Sequence, residues 1–312
     1  MIKKILKPFV PELLLKRLRT GNTGNEAFKT GHYYSAIPSL IDINKRSSEI
    51  FSMKDNFNGI DLHYDKQLEN LEEFRALNEV EPFSLDKKIR FDVENDSFSY
   101  DDAPVLQFML RKIKPKRIIE IGCGHSSAVM LDTNELYLNN TIEDFTFIDI
   151  DLTRLKSRLT GKDEEHIQMI EKSVSEVDLS IFKKLKTNDL LFIDSSHVSK
   201  IGSELHTLIF KILPELESGV YIHFHDIRYP FEYSREMINQ KVFWNEAYLL
   251  RAFLMFNDHF EISFWLNCLI NHDQSNRKLL DFLPLHDWDR RFNGNNGDIS
   301  TAGGSIYLKK VK

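Results

Sequence analysis

The stretch RIIEIGCGHSS, residues 117–127, decides which fold this sequence predicts. A short run of β-branched residues ends at two nearby glycines, and a stretch with helical composition follows from Ser126. Gly122 and Gly124 let the chain turn tightly and let a ligand come close to the backbone. A strand that passes through such a turn into a helix indicates a sheet of parallel strands with a ligand site beside the turn.

The rest of the chain repeats this alternation of strand and helix. Further strand-like runs occupy residues 145–150, 166–174, 190–196, 219–226, 260–266 and 305–311. Helices are predicted between them at residues 152–159, 178–186, 202–217 and 233–256. The pattern predicts an α/β fold with a Rossmann-like, mostly parallel seven-stranded sheet flanked by helices. Because the polar stretch 286–304 replaces a full helix before the last strand, that strand is expected to be antiparallel.

Residues 1–95 differ in composition and predict a helical and irregular extension, which leaves residues 96–312 for the domain that contains the sheet. The beginning of the extension is basic, with Glu12 against the cations Lys3, Lys4, Lys7, Lys16, Arg17 and Arg19. This segment is expected either to touch an anionic membrane surface or a partner, or to dock its apolar face on the main domain.

The bulk composition narrows the class of protein. The net charge of −6 gives no reason to expect a nucleic-acid partner. The two cysteines, Cys123 and Cys268, lie far apart in sequence, which favours a reducing compartment over a disulfide framework. No apolar run approaches the roughly 20 residues that span a bilayer. We therefore expect a cytoplasmic protein, either free or held at a membrane surface, and the sequence leaves its oligomeric state open.

The glycine turn favours one class of adenosine cofactor over another. Asp149 lies near the end of the next predicted strand, where a carboxylate can accept hydrogen bonds from ribose hydroxyls. A dinucleotide-binding turn would have a third glycine where Ser127 stands. Glu120 would repel a pyrophosphate but suits a cationic sulfonium and an amino group. The alternative for Glu120 is an ion pair at the end of the sheet.

These residues resemble the first motif of class I S-adenosylmethionine-dependent methyltransferases. The resemblance implies S-adenosyl-L-methionine as the cofactor, with Glu120 near its methionine end and Asp149 on its ribose. It also implies that the backbone of residues 122–124 runs along the cofactor and that Ser173 lies near the adenine. The expected cofactor-binding residues are Glu120, Gly122, Cys123, Gly124, Ser126, Asp149 and Ser173.

Polar side chains follow the fourth and fifth predicted strands. LLFIDSSH, residues 190–197, places Asp194 at the end of one strand, and YIHFHD, residues 221–226, places His225 and Asp226 at the end of the next. Because neighbouring strands lie about 4.8 Å apart, these side chains can converge on a divalent cation such as Mg²⁺. His225 and Asp226 can both reach one ion only if the strand ends near His225. The alternative is that Asp194 caps the next turn and the histidines fill polar pockets.

Residues 192–233 resemble the sugar and small-molecule O-methyltransferases related to macrocin O-methyltransferase. That branch carries an Asp on the fourth strand and an acidic pair on the fifth, all of which bind a divalent metal; mapped here, the ligands are Asp194, His225 and Asp226. His225 departs from the acidic pattern, and Ser196 stands where the branch has an acidic residue as base. His197 is the substitute base expected here, because a neutral histidine can accept a proton near neutral pH.

The resemblance thus implies methyl transfer to a hydroxyl of a sugar, a glycan or another small metabolite, with Asp194 and His197 as catalytic residues. Two other functions stay open at this point. His223 and His225 share a strand face and, with Asp194, could form the iron site of an oxygenase-like enzyme. The chain could also be a non-catalytic scaffold that binds the cofactor, although the intact glycine turn argues against that function.

Overall fold

The computed structural model describes residues 27–52, 54–83, 89–95, 97–98, 102–161, 163–273, 275–276 and 303–312. The strands in these residues are β1 (Arg117–Ile121), β2 (Asp144–Asp149), β3 (Ile167–Glu171), β4 (Leu190–Ile193), β5 (Tyr221–Phe224), β6 (Phe260–Trp265) and β7 (Ile306–Lys310). Together these seven strands form one sheet in the order β3-β2-β1-β4-β5-β7-β6.

The pairing of the strands confirms the predicted α/β class. β1 pairs in parallel with β2 and β4, β2 with β3, and β4 with β5. β7 is antiparallel to both of its neighbours, β5 and β6, as the sequence predicted for the last strand. Every residue of β4 and β5 is buried, which is expected for central strands covered on both faces.

The helices are α1 (Leu40–Lys45), α2 (Ser47–Ile50), α3 (Tyr64–Val80), α4 (Asp102–Ile113), α5 (His125–Tyr137), α6 (Thr153–Lys156), α7 (Glu204–Thr207), α8 (Arg235–Asn239), α9 (Glu246–Leu254) and α10 (Leu266–His272). Helix α7 continues as a π turn over Leu208–Ile212 and a 3-10 turn over Leu213–Glu215. Apolar residues of α4 and α5 pack with those of β1, β2 and β4 in the main hydrophobic core.

Several predicted helices are shorter or of another type in the structure. Only the turn α6 forms within the helix predicted at 152–159, and the one predicted at 233–256 is divided into α8 and α9. The stretch 178–186 is a 3-10 turn, Leu179–Lys184, because the Asp178 carboxylate accepts the Ser180 N–H at 2.8 Å and starts a tight turn. Helix α10, which was not predicted, directly follows β6.

Parts of the predicted extension contact the sheet and its helices. In α3, the Asn70 amide donates to the carbonyl of Ser263 in β6 at 2.8 Å, and Gln67 accepts the N–H of Trp265 at 2.7 Å. The guanidinium of Arg90 forms ion pairs with Asp132, Glu135 and Asp163. These contacts attach residues 64–80 and 89–91 to the sheet-containing part of the chain; the boundary near residue 95 stays a prediction.

The described residues divide into two compact units, of which one comprises residues 27–52 and 237–243 and the other the rest of the described residues. All the predicted site residues belong to the second unit. The basic segment at the start of the chain lies outside the described residues. Among the helices that are described, none combines the length and the apolarity needed to cross a membrane.

Candidate active site

The glycine turn after β1 is shaped by close contact between backbones. Gly122 has a φ of +82°, a left-handed conformation that glycine adopts without steric cost. A β-carbon at position 122 would lie 1.8 Å from the carbonyl oxygen of Asp194. The N–H of Gly122 donates to Ile148 at 3.0 Å, and the N–H of Asp194 donates to Ile121 at 2.8 Å. The ends of β1, β2 and β4 therefore meet around a residue that has to be glycine.

Glu120, the acidic residue inside β1, is fully buried. Its carboxylate accepts hydrogen bonds from the hydroxyls of Ser126 and Ser127, in the first turn of α5. Burial raises the pKa of Glu120 to about 8, although the two hydroxyls by themselves lower it. Its described partners are hydroxyls, not the basic side chain that the ion-pair alternative requires.

Asp149, the last residue of β2, is joined to the glycine turn. One carboxylate oxygen accepts the N–H of Cys123 at 2.8 Å, and the other accepts the N–H of Asp151 at 3.1 Å. Asp149 is only partly buried, so its carboxylate can also accept bonds from a ligand. The Cys123 thiol is buried, and burial raises its pKa well above the ordinary value. This thiol is therefore protonated, and the contact of Cys123 with Asp149 is made by its backbone N–H.

Two further residues lie at the edge of the sheet that contains the turn, one predicted and one not. Ser173 follows β3, and its hydroxyl accepts the N–H of Ser175 at 3.3 Å. Because β3 pairs with β2 as far as Asp149, Ser173 lies at the same edge of the sheet. Arg154 lies over the turn: a β-carbon at Gly124 would be 2.5 Å from its Cδ. No sequence pattern marked Arg154, because only the packing of α6 brings it to the turn.

The ends of β4 and β5 bring three predicted residues together. Asp194 directly follows β4, and β5 ends at Phe224. Asp226 has a φ of +56°, so the chain turns about where the sequence analysis required the strand to end. Nε2 of His197 lies 3.2 Å from Oδ1 of Asp194 and 3.9 Å from Oδ2 of Asp226. Two carboxylates therefore face one imidazole nitrogen.

Two residues near the start of α9 complete this cluster, and no sequence pattern had marked them as site residues. Oε2 of Glu246 lies 2.7 Å from Nδ1 of His197, and the Glu246 side chain is 1 % exposed. The indole of Trp244 packs against the same imidazole, with ring centroids 4.2 Å apart. The apolar periodicity of residues 244–256 predicted a packed helix, and only the tertiary fold brings its first turn to His197.

The charged residues of this cluster shift one another's pKa values. Burial by itself would lower the pKa of His197, but hydrogen bonds to Asp194 and Glu246 raise it to about 10. Burial by itself would raise the pKa of Asp194, but the charges of His225 and His197 lower it below the ordinary value. In the described arrangement His197 is therefore an imidazolium at neutral pH. It can act as the predicted base only when its pKa falls.

The two histidines of β5 and its end have different environments. Nε2 of His223 is 2.9 Å from the hydroxyl of Ser305, and burial lowers the pKa of His223 well below the ordinary value. For His225, the nearby carboxylates of Asp194 and Asp226 outweigh burial and raise the pKa. Only His225 is coupled to these carboxylates, which argues against an iron site built on both histidines.

The chemistry of the donors at the strand ends fits a hard divalent cation. Asp194 and Asp226 offer carboxylate oxygens, and Nδ1 of His225 is buried without a hydrogen-bond partner among the described residues. In the described ranges, however, no group of three or more His, Cys, Asp and Glu is arranged to hold an ion. Nε2 of His197 lies near both carboxylates and itself supplies positive charge there.

Gly304, just before β7, packs closely against the backbone of Asp226. A β-carbon at Gly304 would lie 2.7 Å from the Cα of Asp226, and the carbonyl of Gly304 accepts the N–H of Ile227 at 2.8 Å. On its other side, Oδ1 of Asp226 lies 3.8 Å from a guanidinium nitrogen of Arg228. The position of Asp226 thus depends on Gly304, which is far from it in the sequence, as well as on the nearby Arg228.

Comparison with known proteins finds a family model that is similar to the central part of the chain. Residues 119–227 match a family model described as a methyltransferase domain. This range begins in β1 and ends just after Asp226. An uncharacterized protein of Archaeoglobus fulgidus is 29 % identical over 167 residues, which cover 52 % of this chain and 75 % of that protein.

Similar solved structures include a Podospora anserina methyltransferase, PaMTH1, bound to SAH. It is 16 % identical, with a TM-score of 0.41, over 89 % of this chain and 99 % of that one. The CmcI-D160 structure with Mg and SAM is 18 % identical, with a TM-score of 0.38, over 68 % and 72 % of the two chains. A SAM-dependent methyltransferase of Archaeoglobus fulgidus is 15 % identical, with a TM-score of 0.35, over 67 % and 95 %.

Proposed function

We propose that this chain transfers a methyl group from S-adenosyl-L-methionine to a hydroxyl of a small molecule or glycan; the match of residues 119–227 to a methyltransferase domain model and the strand order of the sheet support this proposal. One observation carries this proposal: Asp194 belongs to both halves of the site. Its carbonyl packs against Gly122, and its carboxylate pairs with His197. A cofactor along the glycine turn and a hydroxyl at the strand ends would therefore be neighbours, as in-line transfer requires.

The hydrogen bonds of the turn support S-adenosylmethionine over a dinucleotide. A pyrophosphate is bound by free backbone N–H groups at a helix N-terminus. Here the N–H of Gly124 already donates to the hydroxyl of Ser127 at 2.9 Å. S-adenosylmethionine has no phosphate and does not need that N–H. The residues proposed to bind it are Glu120, Gly122, Cys123, Gly124, Ser126, Asp149 and Ser173.

Asp194 and Asp226, with His225 as a third ligand or in support, are the residues proposed to hold a divalent cation such as Mg²⁺. When bound, such an ion orients a hydroxyl and makes it easier to deprotonate. The carboxylates of Asp194 and Asp226 repel each other, and positive charge near both offsets that repulsion. In the described arrangement the imidazolium of His197 supplies this charge.

His197 is the residue proposed to accept the proton of the hydroxyl. Its carboxylate partners hold its pKa at about 10, so the imidazole already carries a proton at neutral pH. The negative charge around it has to decrease before it can lose that proton and accept another. Neutralising Asp194 and Asp226 would lower that pKa, because an acid with fewer negative neighbours loses its proton more easily. Glu246 would keep the ring in place during this change, since it contacts the opposite nitrogen.

Binding and labelling together test the proposed function. Calorimetry should give micromolar binding of S-adenosylmethionine and S-adenosylhomocysteine and no binding of NAD. Incubation of the protein with methyl-labelled S-adenosylmethionine and an extract of the source cells should then transfer label to a hydroxyl. Binding of NAD in place of S-adenosylmethionine would overturn the cofactor assignment, and label on nitrogen or carbon would overturn the hydroxyl assignment.

A further inference from the structure

The imidazole of His197 is held through both of its nitrogens. Nδ1 lies 2.7 Å from Glu246, while Nε2 lies 3.2 Å from Asp194 and 3.9 Å from Asp226. Trp244 covers one face of the ring, at 4.2 Å between centroids. An imidazole bound at two nitrogens and packed on one face can neither flip nor swing away without breaking these contacts. Its Nε2 is therefore aimed at the carboxylates that follow β4 and β5.

Backbone hydrogen bonds also hold His197 in place. The N–H groups of Asn245 and Glu246 both donate to the carbonyl of His197, at 3.1 and 3.2 Å. The side chain of Asn245 accepts the N–H of Ser199 and donates to its carbonyl. The loop after β4 and the start of α9 are thus joined by several hydrogen bonds around His197.

This arrangement is costly for the fold. His197 has a φ of +57°, a left-handed conformation that is strained for most residues other than glycine. Glu246 is a buried acid, and its Oε1 has no hydrogen-bond partner within the part of the chain that is described. Burying a charged pair gains little stability over apolar packing of the same volume. If α9 only had to pack on this loop, an apolar residue at position 246 would make the fold more stable.

We infer that Glu246 is a positioning residue for methyl transfer: it holds the His197 imidazole through Nδ1 so that Nε2 faces the point where the acceptor hydroxyl would meet Asp194 and Asp226. The inference rests on the proposed function for the reaction, whereas the geometry it assigns to His197 can be tested without any reaction. Glu246 contributes no group to the glycine turn, so its loss should leave cofactor binding intact.

Kinetics of Glu246 variants separate positioning from general stability. Glu246→Leu should lower kcat about 10- to 100-fold, as loss of a residue that orients a functional imidazole commonly does, with KM for S-adenosylmethionine unchanged within about twofold. Glu246→Gln should recover most of the rate, because its amide oxygen can still accept the Nδ1–H. The matched control is Asp189→Asn. Asp189 is also a buried acid, but it lies at the opposite end of β4 and accepts backbone N–H groups of residues 116, 117 and 186.

The tryptophan emission gives a second result that needs no turnover. The contact of Trp244 with the imidazole should make its fluorescence sensitive to the position of the ring, and Trp244→Phe measures its share of the signal. In Glu246→Leu, the Trp244 fluorescence should become similar to the Trp244 fluorescence of His197→Ala. In Glu246→Gln, it should resemble that of the unmodified protein.

The results distinguish failure of the positioning role of Glu246 from failure of the proposed methyl transfer. A Glu246→Leu protein that turns over at the normal rate would overturn the inference while the proposed function stands. So would a Trp244 signal in Glu246→Leu that matches the unmodified protein. If the unmodified protein transfers no methyl group, yet the emission changes as expected, the proposed function fails and the positioning geometry stands. If Glu246→Leu does not fold, a Glu246→Gln protein with the rate and emission of His197→Ala would likewise contradict the inference.

Discussion

The carbonyl oxygen of Asp194 lies 1.8 Å from the point that a β-carbon of Gly122 would occupy. This contact joins the turn after β1 to the loop after β4, so Asp194 links the residues proposed to bind the cofactor to the carboxylate cluster. A change at either position is therefore expected to affect both.

Substitution of Gly122 tests this contact. Gly122→Ala should weaken binding of S-adenosylmethionine at least about tenfold, because the new methyl group forces the ends of β1 and β4 apart, a cost above the ~1.4 kcal/mol that corresponds to a tenfold change. Gly202→Ala is the matched control, since Gly202 has a φ of +77° and no atom within 4 Å of its β-carbon position. Equal binding and equal melting temperatures of the two variants would contradict the role of the contact.

The link between Asp149 and the turn predicts a second effect. Asp149→Ala should weaken binding of S-adenosylmethionine by about 1.5–3 kcal/mol, the range for hydrogen bonds to a charged group. Asp178→Ala removes a carboxylate that also accepts a backbone N–H, at 2.8 Å from Ser180, but away from the turn. Calorimetry of both variants checks the prediction, and an unchanged affinity for Asp149→Ala would remove this residue from the site.

The raised pKa of Glu120 predicts how stability depends on pH. Its folded-state pKa is about 8 against an ordinary value of 4.5, so between these values the folded protein holds a proton that the unfolded chain has lost. The free energy of unfolding should therefore fall as pH rises from about 4.5 to 8, by up to about 1.4 kcal/mol per pH unit from this group.

Denaturation of Glu120→Gln across this pH range measures that contribution. The amide cannot ionise, so the stability of the variant relative to the unmodified protein should increase from pH 5 to pH 8. Glu143→Gln, a change at an exposed acid, should show no such trend. Parallel pH curves for the unmodified protein and Glu120→Gln would indicate that Glu120 titrates normally.

The proposed cation site predicts a distinct response to chelation. Removing divalent ions should reduce methyl transfer while leaving binding of S-adenosylmethionine largely intact, because the contacts proposed for the cofactor are the glycine turn and Asp149. Asp194→Asn and Asp226→Asn should each mimic chelation and weaken binding of Mn²⁺ measured by magnetic resonance. Asp258→Asn, an exposed surface change, serves as control. Full activity after exhaustive chelation and in both Asn variants would overturn the cation mechanism and leave the cluster a structural or purely orienting role.

The basic segment predicts a property separate from catalysis. Deleting residues 1–20 should leave binding of S-adenosylmethionine unchanged. If the segment touches a membrane surface, the full chain will sediment with anionic liposomes in low salt and the shortened chain will not, because screening by salt weakens such contacts. If neither chain sediments, the segment docks on the main domain instead. Liposome binding that persists after the deletion would assign the contact elsewhere, and loss of cofactor binding in a folded protein would place the domain boundary earlier in the chain.

Most of the sheet could be predicted from local sequence. Buried strands of a parallel sheet are short continuous apolar runs, and the glycines after β1 mark the turn without reference to any other part of the chain. The lengths and types of the helices were less well predicted, as with residues 178–186, because capping by Asp178 and packing decide where a helical turn begins and how far it continues.

The sequence by itself determined the alternation of strands and helices, the glycine turn with Asp149 after it, and the presence of Asp194, His225 and Asp226 at strand ends, since all of these follow from local periodicity. Only the tertiary structure decided that Glu246 and Trp244 enclose His197, that Arg154 covers the turn and that Gly304 supports Asp226. These contacts join residues far apart in the chain. The partners of a buried charge, and with them its pKa, depend on which distant segments the folded core brings within a few ångströms of it.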